Sequence, residues 1–558
     1  MQLFIVLFII ALALAYTLWR LVRTLRGHGD CGCGCGKNCP NCHGRKRDTR
    51  HDKCCLLMAL VALTAHSAAG GCSVAQMVRD IRLLPNTELH HLVVIKDGQL
   101  IAQEHVMPYR ATDRHNQFSA CKALTALAAG LAIGDGKLSL DTKVVDLFGD
   151  KCPASPSDEL RALTVRHLLT MTSGKAVTTA IRDTTDDWAG AWLALPGTQP
   201  GRQFAYDTMT SFMVSAAVQR ATGRTVLDLL TERILRPMGI DDVEWESSPD
   251  GITTGGWGLR CSTLSMARIG WLLLQRGQWR GRQLVDGAWI DQMVADQLPS
   301  LGIHVTHSDE FQHGYGFQMW RCALDGAYRA QGNYGQLLVV SPSASMVVAV
   351  NAVTDNQSEL LRVVERDMAH FSGTAGSAVP ATTEHCSNRQ WLCAPMRLLL
   401  ADNNHGIRAL EVRRQGDTLT LLIDSAGGGR QQVPLGCGQW LYTPLQGQPP
   451  YNIGARNRFS GMDSGFTVAA RYAVRMGGQL EVQLRYVDWY SAVTLLIDPA
   501  ARQVVITDNK APAQPERVQL TNQPVPPRHS GSRWWMAAFA LMAVALVTLV
   551  VCNRPDKI

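Results

Sequence analysis

"HNQFSACKALTALAAG", residues 115–130, sets Ser119 three positions before Lys122 at the head of an alanine- and leucine-rich run. On a helix, residues three apart share a face, so this spacing brings a hydroxyl and an amine together. A neutral amine in that position can take the hydroxyl's proton and turn the serine into a nucleophile. The start of the same helix offers backbone N–H groups to a developing negative charge. S-x-x-K alone is a weak signal, because it occurs by chance in many helices as a cap and a surface lysine. The remainder of the chain has to decide between the two.

Upstream, "ELHHLVVIKDGQLIAQEHV" begins at residue 88 and places two apolar runs around Asp97-Gly98, a strong hairpin signal. Downstream, residues 119–134 read as an apolar helix ending at Gly134. "LTVRHLLTMTSG" (163–174), "SFMVSAAVQRATG" (211–223), "TVLDLLTERILRPMG" (225–239) and "TLSMARIGWLLLQRG" (263–277) read as further helices, each stopped by glycine. "LLVVSPSASMVVAVN" (337–351) gives two β-rich runs around Pro342. Strands therefore come first and last with helices between. The expected fold class is α+β: an antiparallel sheet flanked by helices, an α/β sandwich, with a helical subdomain. After about residue 375 the texture becomes alternating strands joined by Gly-Asp, Gly-Gly and Pro-Ala turns, which reads as a small all-β barrel or sandwich over 376–525.

Three further stretches bear on Ser119 and Lys122. "PGRQFAYDTMTSF" sets Tyr206 just before a helix, where a phenol can relay the serine's proton and protonate a leaving group. "GGWGLRCSTLSMARIGW" (255–271) and "YRAQGNYGQLLVVSP" (328–342) complete the series. With these motifs in this order, residues 80–370 resemble the serine hydrolases related to class C β-lactamases and penicillin-recognising enzymes. Within them the chain is most similar to the branch of 6-aminohexanoate-dimer hydrolase and carboxylesterases. The resemblance implies a serine hydrolase in which Ser119 is acylated, Lys122 is its proton partner and Tyr206 belongs to the second motif, here Tyr-Asp-Thr ending in Thr208. It puts the third motif at Ala330-Gln331-Gly332, with the backbone N–H of Asn333 as an oxyanion donor beside that of Ser119. Gln331, Gly332 and Thr208 would line the substrate site. Trp257 and Trp320 are expected as pocket walls, while His115 and His167 are expected to cap or pack. Gly255, Gly256 and Gly258 should serve backbone geometry. Cys121 should face the core.

The departure from the family lies at Ala330. Where the family carries Lys or His, this chain has no charge, which argues against a substrate carboxylate such as that of a penicillin, although Arg329 is adjacent. The implied substrate is an ester, an amide or a short peptide, and acyl transfer by this set needs no cofactor or metal. The competing reading is a β-lactamase-like module that binds cell-wall or peptide ligands without turnover, favoured by Ala330 and Thr208.

The ends of the chain carry a different message. With 558 residues, 46% of them hydrophobic, the chain can build several cored units. Residues 20–54 hold nine basic and three acidic residues, which accounts for most of the net charge of +7. A nucleic-acid binder would spread its basic residues over a folded face, so that class is excluded. Here they sit between apolar segments 1–22 and 54–72, and a third apolar segment covers 533–552. The first and third are long enough to span a bilayer, and the second reads as a span or a signal-peptide core. The positive-inside rule then puts 23–53 in the cytoplasm. The hydrolase part (73–375) and the β part would lie outside the inner membrane of a bacterial cell. Cys31, Cys33, Cys35, Cys39 and Cys42 form a dense set suited to a soft metal, and Cys39–His43 has c-type haem spacing. A flexible cysteine-rich linker is the plain alternative. The segment resembles the short membrane proteins that accompany ferrous-iron transporters. Cys386 and Cys393 are a candidate disulfide in an oxidising compartment.

Overall fold

The Asp97-Gly98 signal produces a two-residue hairpin, because both residues adopt positive φ (51° and 80°) and so match the twist of the flanking strands. In this computed structural model residues 72–303, 311–372, 395–415, 418–426, 429–475, 477–509 and 515–521 are described. The three apolar terminal segments, the five-cysteine cluster, Cys386 and Cys393 lie outside them, save for Cys72 at the end of the second segment. Among the described residues no helix is long and apolar enough to cross a membrane, and no cluster of metal-ligating side chains occurs. The described residues all fall within one compact unit.

The first half is built on a six-stranded antiparallel sheet. Its strands are β1 (Thr87–Lys96), β2 (Gln99–His105), β3 (Trp320–Arg321), β4 (Tyr328–Gly332), β5 (Gln336–Ser341) and β6 (Met346–Thr354). Their spatial order is β2-β1-β6-β5-β4-β3, so the first strand pairs with the last and everything between is an excursion. Five helices matter for the site: α1 (Val74–Arg82), α2 (Lys122–Gly134), α3 (Thr208–Thr222), α4 (Thr263–Leu274) and α5 (Gln357–Ala369). Successive strand residues face opposite layers. Leu92, Val94, Leu337 and Val339 pack with α1 and α5, whereas Val93, Ile95, Leu338 and Val340 pack with α4. Both faces are buried, and each such side chain contributes roughly 1.5–3 kcal/mol. This is the α/β sandwich the sequence pattern implies.

Helix α2 is buried all round, which explains its composition. Ala123, Ala126, Ala128, Ala129 and Ala132 are fully covered, and their small side chains admit α3 closely. The expected helix over 163–174 is shorter than its pattern suggests, running only over Val165–Leu169. Gly174 does not cap it. Its φ of 73° and the Thr198 carbonyl, 2.2 Å from where a Cβ would lie, place it in a bridge to a neighbouring segment.

The second half is a ten-stranded sheet over residues 396–519. Its first and last strands meet: Leu400 bridges Leu520, and the Ala401 and Thr521 amides donate to Gln519 and Leu399 carbonyls at 3.0 Å. The sheet is therefore closed into a barrel, which removes its exposed edges. Cys437 on it is disulfide-bonded, whereas Cys72, Cys121, Cys152, Cys261 and Cys322 are free.

Polar side chains clasp the barrel to the first half. The fully buried Arg260 donates to the Gly465 carbonyl at 2.8 Å and to Ser464 Oγ at 2.6 Å, and it pairs with Glu244. Glu246 accepts from the Phe459 amide at 2.9 Å and from Tyr451 Oη at 3.3 Å. Burial pushes the Glu246 carboxyl up from its ordinary 4.5 to about 7. Between those two values the folded state keeps a proton that the unfolded chain has lost, so stability falls as pH rises through the window, by roughly 3 kcal/mol. Glu246→Gln is expected to flatten that slope, raising the melting temperature at pH 8 and leaving it unchanged at pH 4.5. Parallel melting profiles for the two proteins would contradict the assignment.

Candidate active site

The site begins where a short bridge ends. His115 and Asn116 pair with Arg260 and Cys261, and the Gln117 amide donates to the Leu259 carbonyl at 2.9 Å. Phe118 then takes a left-handed φ of 45°, with its amide held by Asn116 Oδ1 at 3.0 Å. This kink turns the chain into a 3-10 turn, Phe118–Cys121, that leads into α2. Ser119 therefore sits in the first turn, where backbone donors lack intrahelical partners.

Lys122 is buried at the start of α2. Its Nζ donates to Ser119 Oγ at 2.8 Å and to the Gly256 carbonyl at 2.7 Å, and it lies 3.5 Å from Thr208 Oγ1. All three partners are neutral oxygens. The Gly256 carbonyl is aimed by a tight turn: Gly255 and Gly258 have φ of 66° and 75°, and Thr125 Oγ1 donates to the Gly255 carbonyl at 2.7 Å. A β-carbon on Gly256 would lie 2.7 Å from the Thr208 carbonyl. The glycines thus supply geometry, as expected, and also a carbonyl ligand for the lysine, a role that leaves no side-chain signature in a sequence.

Tyr206 is placed by the residue after it. Asp207 caps α3, accepting from the Met209 and Thr210 amides at 3.2 and 2.9 Å. The phenol ring stacks on Trp320, 5.3 Å between centroids, and Lys122 Nζ lies 5.1 Å from the ring centre. The third wall is the end of β4. Gly332 runs so close to the Ser119 turn that a β-carbon would stand 2.2 Å from the Gln117 carbonyl.

These elements enclose a cavity of about 470 Å³ lined by Ser119, Phe204, Tyr206, Phe311, Trp320, Gln331, Gly332, Asn333 and the segment Asp355–Ser358. The size suits a small organic substrate. Trp257, expected as a pocket wall, is not in this lining. Its ring is buried in the core against Trp188, 5.6 Å away, with the Arg182 guanidinium over it. Trp320 does line the cavity, together with Phe204 and Phe311. Thr208 reaches the site through Lys122.

Ala330 is a buried core residue, and the adjacent Arg329 does not replace the missing cation. Arg329 is fully buried, bonded to Gln331 Oε1 at 2.7 Å and to the Arg321 carbonyl, and stands behind the rings of Phe311 and Trp320. Among the described residues lining the cavity, Asp355 carries the one full charge, at an exposed position where it accepts from Asn86 Nδ2 at 3.0 Å. His167 completes a capping box with Thr164. His115 is buried against His90 and held neutral, with its imidazole pushed down to about 4 by burial. The Cys121 thiol faces the core and burial raises it to about 12, so it is inert.

The family model described as Beta-lactamase matches residues 90–369, half of the chain. A second, described as FeoB-associated Cys-rich membrane protein, matches residues 2–55. Among curated proteins, a fimbrial assembly protein FimD of Dichelobacter nodosus is 29% identical over 155 residues, covering 26% of this chain and 39% of that protein. The 6-aminohexanoate-dimer hydrolase of Paenarthrobacter ureafaciens is 20% identical over 276 residues, 46% of this chain and 70% of that one. The chain thus spans well under two thirds of the first relative's length. Among solved structures, a penicillin-binding protein homologue from Caulobacter crescentus aligns with a TM-score of 0.44 and 17% identity, covering 54% of this chain and 99% of its own.

Proposed function

Because the chain belongs to the beta-lactamase family, we propose that it is a serine hydrolase that cleaves an ester or amide through an acyl group carried on Ser119. The observation that carries this reading is the 2.8 Å contact between Lys122 Nζ and Ser119 Oγ at the wall of the cavity. Ser119 Oγ attacks the substrate carbonyl carbon as Lys122 takes its proton. The Ser119 and Asn333 amides receive the negative oxygen, a term worth about 10²–10³ in rate for each donor. Collapse of the intermediate breaks the bond to the leaving alcohol or amine, which takes a proton relayed through Tyr206. Water then repeats the attack and frees the acid. Intact-mass analysis of the full-length protein after fluorophosphonate treatment tests this. A single adduct at Ser119 is expected, and an unmodified, folded protein would overturn the reading.

The lining also bears on substrate charge. Aromatic rings and Asp355, with no cation replacing Ala330, favour neutral or cationic acyl groups over carboxylates. Paired aryl esters, one ending in an ammonium and one in a carboxylate, should differ several-fold in kcat/KM in favour of the ammonium, the scale of an exposed charge pair. Asp355→Asn should erase that preference, and an unchanged ratio would show that Asp355 does not contribute to it.

The family match of residues 2–55 and the charge pattern of residues 20–54 support membrane anchoring, with the hydrolase half outside the cytoplasm.

A further inference from the structure

We infer that the C-terminal barrel belongs to the catalytic apparatus: Tyr490 and Asn452 hold in place the two backbone turns that carry the oxyanion-binding amides. The inference rests on the hydrolase reading above and adds to it a role for the second half of the chain.

Each of the two amides adjoins a non-glycine residue in the left-handed region. Phe118, with φ 45°, immediately precedes Ser119, and Tyr334, with φ 65°, immediately follows Asn333. Bulky residues avoid this conformation, and it persists only where the surroundings over-determine it. Part of the hold comes from the first half, through Asn116 Oδ1 on the Phe118 amide and the Thr354 amide on the Tyr334 carbonyl, and the side-chain part comes from the barrel. The Phe118 ring, 1% exposed, is part of the barrel's hydrophobic core and not of the core that holds α2. Tyr490 meets it edge-on at 4.7 Å and stacks on Tyr334 at 5.2 Å with 14° between the planes. Phe118 and Tyr334 are themselves 5.3 Å apart. The three rings close a triangle in which one barrel side chain touches both turns.

Hydrogen bonds lock the triangle. Tyr490 Oη donates to Asn452 Oδ1 at 2.8 Å and accepts from the Asn452 amide at 3.3 Å, while Asn452 Nδ2 donates to Tyr334 Oη. Neither Tyr490 nor Asn452 lines the cavity. They are positioning residues, acting on the oxyanion donors through Phe118 and Tyr334. Because an oxyanion hole is effective only when its donors are aimed before the reaction, loosening this support should weaken transition-state stabilisation and spare substrate binding.

The test uses the full-length protein with an aryl ester and the matching thionoester. Sulfur is larger than oxygen and a poorer acceptor, so a well-aimed hole prefers the ester. Tyr490→Ala is expected to lower kcat for the ester by about 10–100-fold with little change in KM, and to shrink the ester-over-thionoester preference. Tyr490→Phe, which keeps the ring triangle, should recover most of kcat. Asn452→Ala alters an exposed side chain and should lower kcat by about 3–10-fold, with the same loss of preference. It decides alone if Tyr490→Ala does not fold. Folded variants with wild-type kcat and preference would overturn the inference, as would a kcat loss that leaves the preference intact. Wild-type protein with no fluorophosphonate adduct at Ser119 would instead sink the hydrolase reading, and this inference with it.

Discussion

Ser119→Ala is expected to abolish the fluorophosphonate adduct and to lower ester turnover by on the order of 10⁴–10⁶. In the proposed reaction Ser119 Oγ is the atom that is acylated, and it is the hydroxyl nearest Lys122 Nζ, at 2.8 Å against 3.5 Å for Thr208 Oγ1, which does not line the cavity. Lys122→Met should cost nearly as much, since in the proposed reaction the buried Nζ, in contact with Ser119 Oγ, takes its proton. The two losses should not add: the double variant should be about as slow as either single one, because each removes the same coupled step. Both variants should fold. Methionine fills the space of the buried lysine stem and gives up the bonds of Nζ to Ser119 Oγ and the Gly256 carbonyl. Stopped-flow acylation with an activated ester and the melting temperature of each variant check this. A Lys122→Met protein that keeps a tenth of wild-type turnover would remove Lys122 from the chemistry.

Gly332→Ala is the second large effect. The new methyl would stand 2.2 Å from the Gln117 backbone carbonyl and 3.1 Å from the Ala120 amide nitrogen, so backbone has to move. The movement separates β4 from the Ser119 turn and carries the Asn333 amide out of line with the oxyanion. A loss of about 10²–10³ in kcat is expected, with KM little changed, since the proposed reaction uses this donor in the transition state and not in ground-state binding. Gly134→Ala is the control. Nothing lies within 4 Å of its added carbon at the end of α2, and it should leave activity intact and stability equal or slightly higher. Equal activity of the two variants would mean that the close approach of β4 is not required.

Much of this architecture was legible from local patterns. The Asp97-Gly98 hairpin, the Gly223 helix stop, the alternating strands after residue 395 and the 119/122 spacing each depend on residues within a turn or two of one another, and local sterics enforce them. The helix expected over 163–174 failed for the converse reason. Gly174 looks like a stop signal, but its glycine is required by the Thr198 carbonyl, which comes from a distant segment. Trp257 lies in the core for the same reason: a tryptophan flanked by glycines is equally at home in a pocket wall or in a core, and its contact with Trp188 decides which.

The sequence by itself determined which serine, lysine and tyrosine are the candidates for the chemistry, the order of the motifs that carry them, the alternation that makes one half a layered sheet and the other all-β, and the absence of a cation at position 330. These follow from side-chain chemistry and from helix and strand periods of 3.6 and 2. Only the tertiary structure decided that Arg329 is buried outside the cavity lining, that the Gly256 carbonyl holds Lys122, that the second sheet closes into a barrel, and that Tyr490 packs against Phe118 and Tyr334. Each of these is a contact between segments tens to hundreds of residues apart, or a choice of which face a side chain takes. Such contacts are selected by the packing of the whole unit, and no short window of sequence records them.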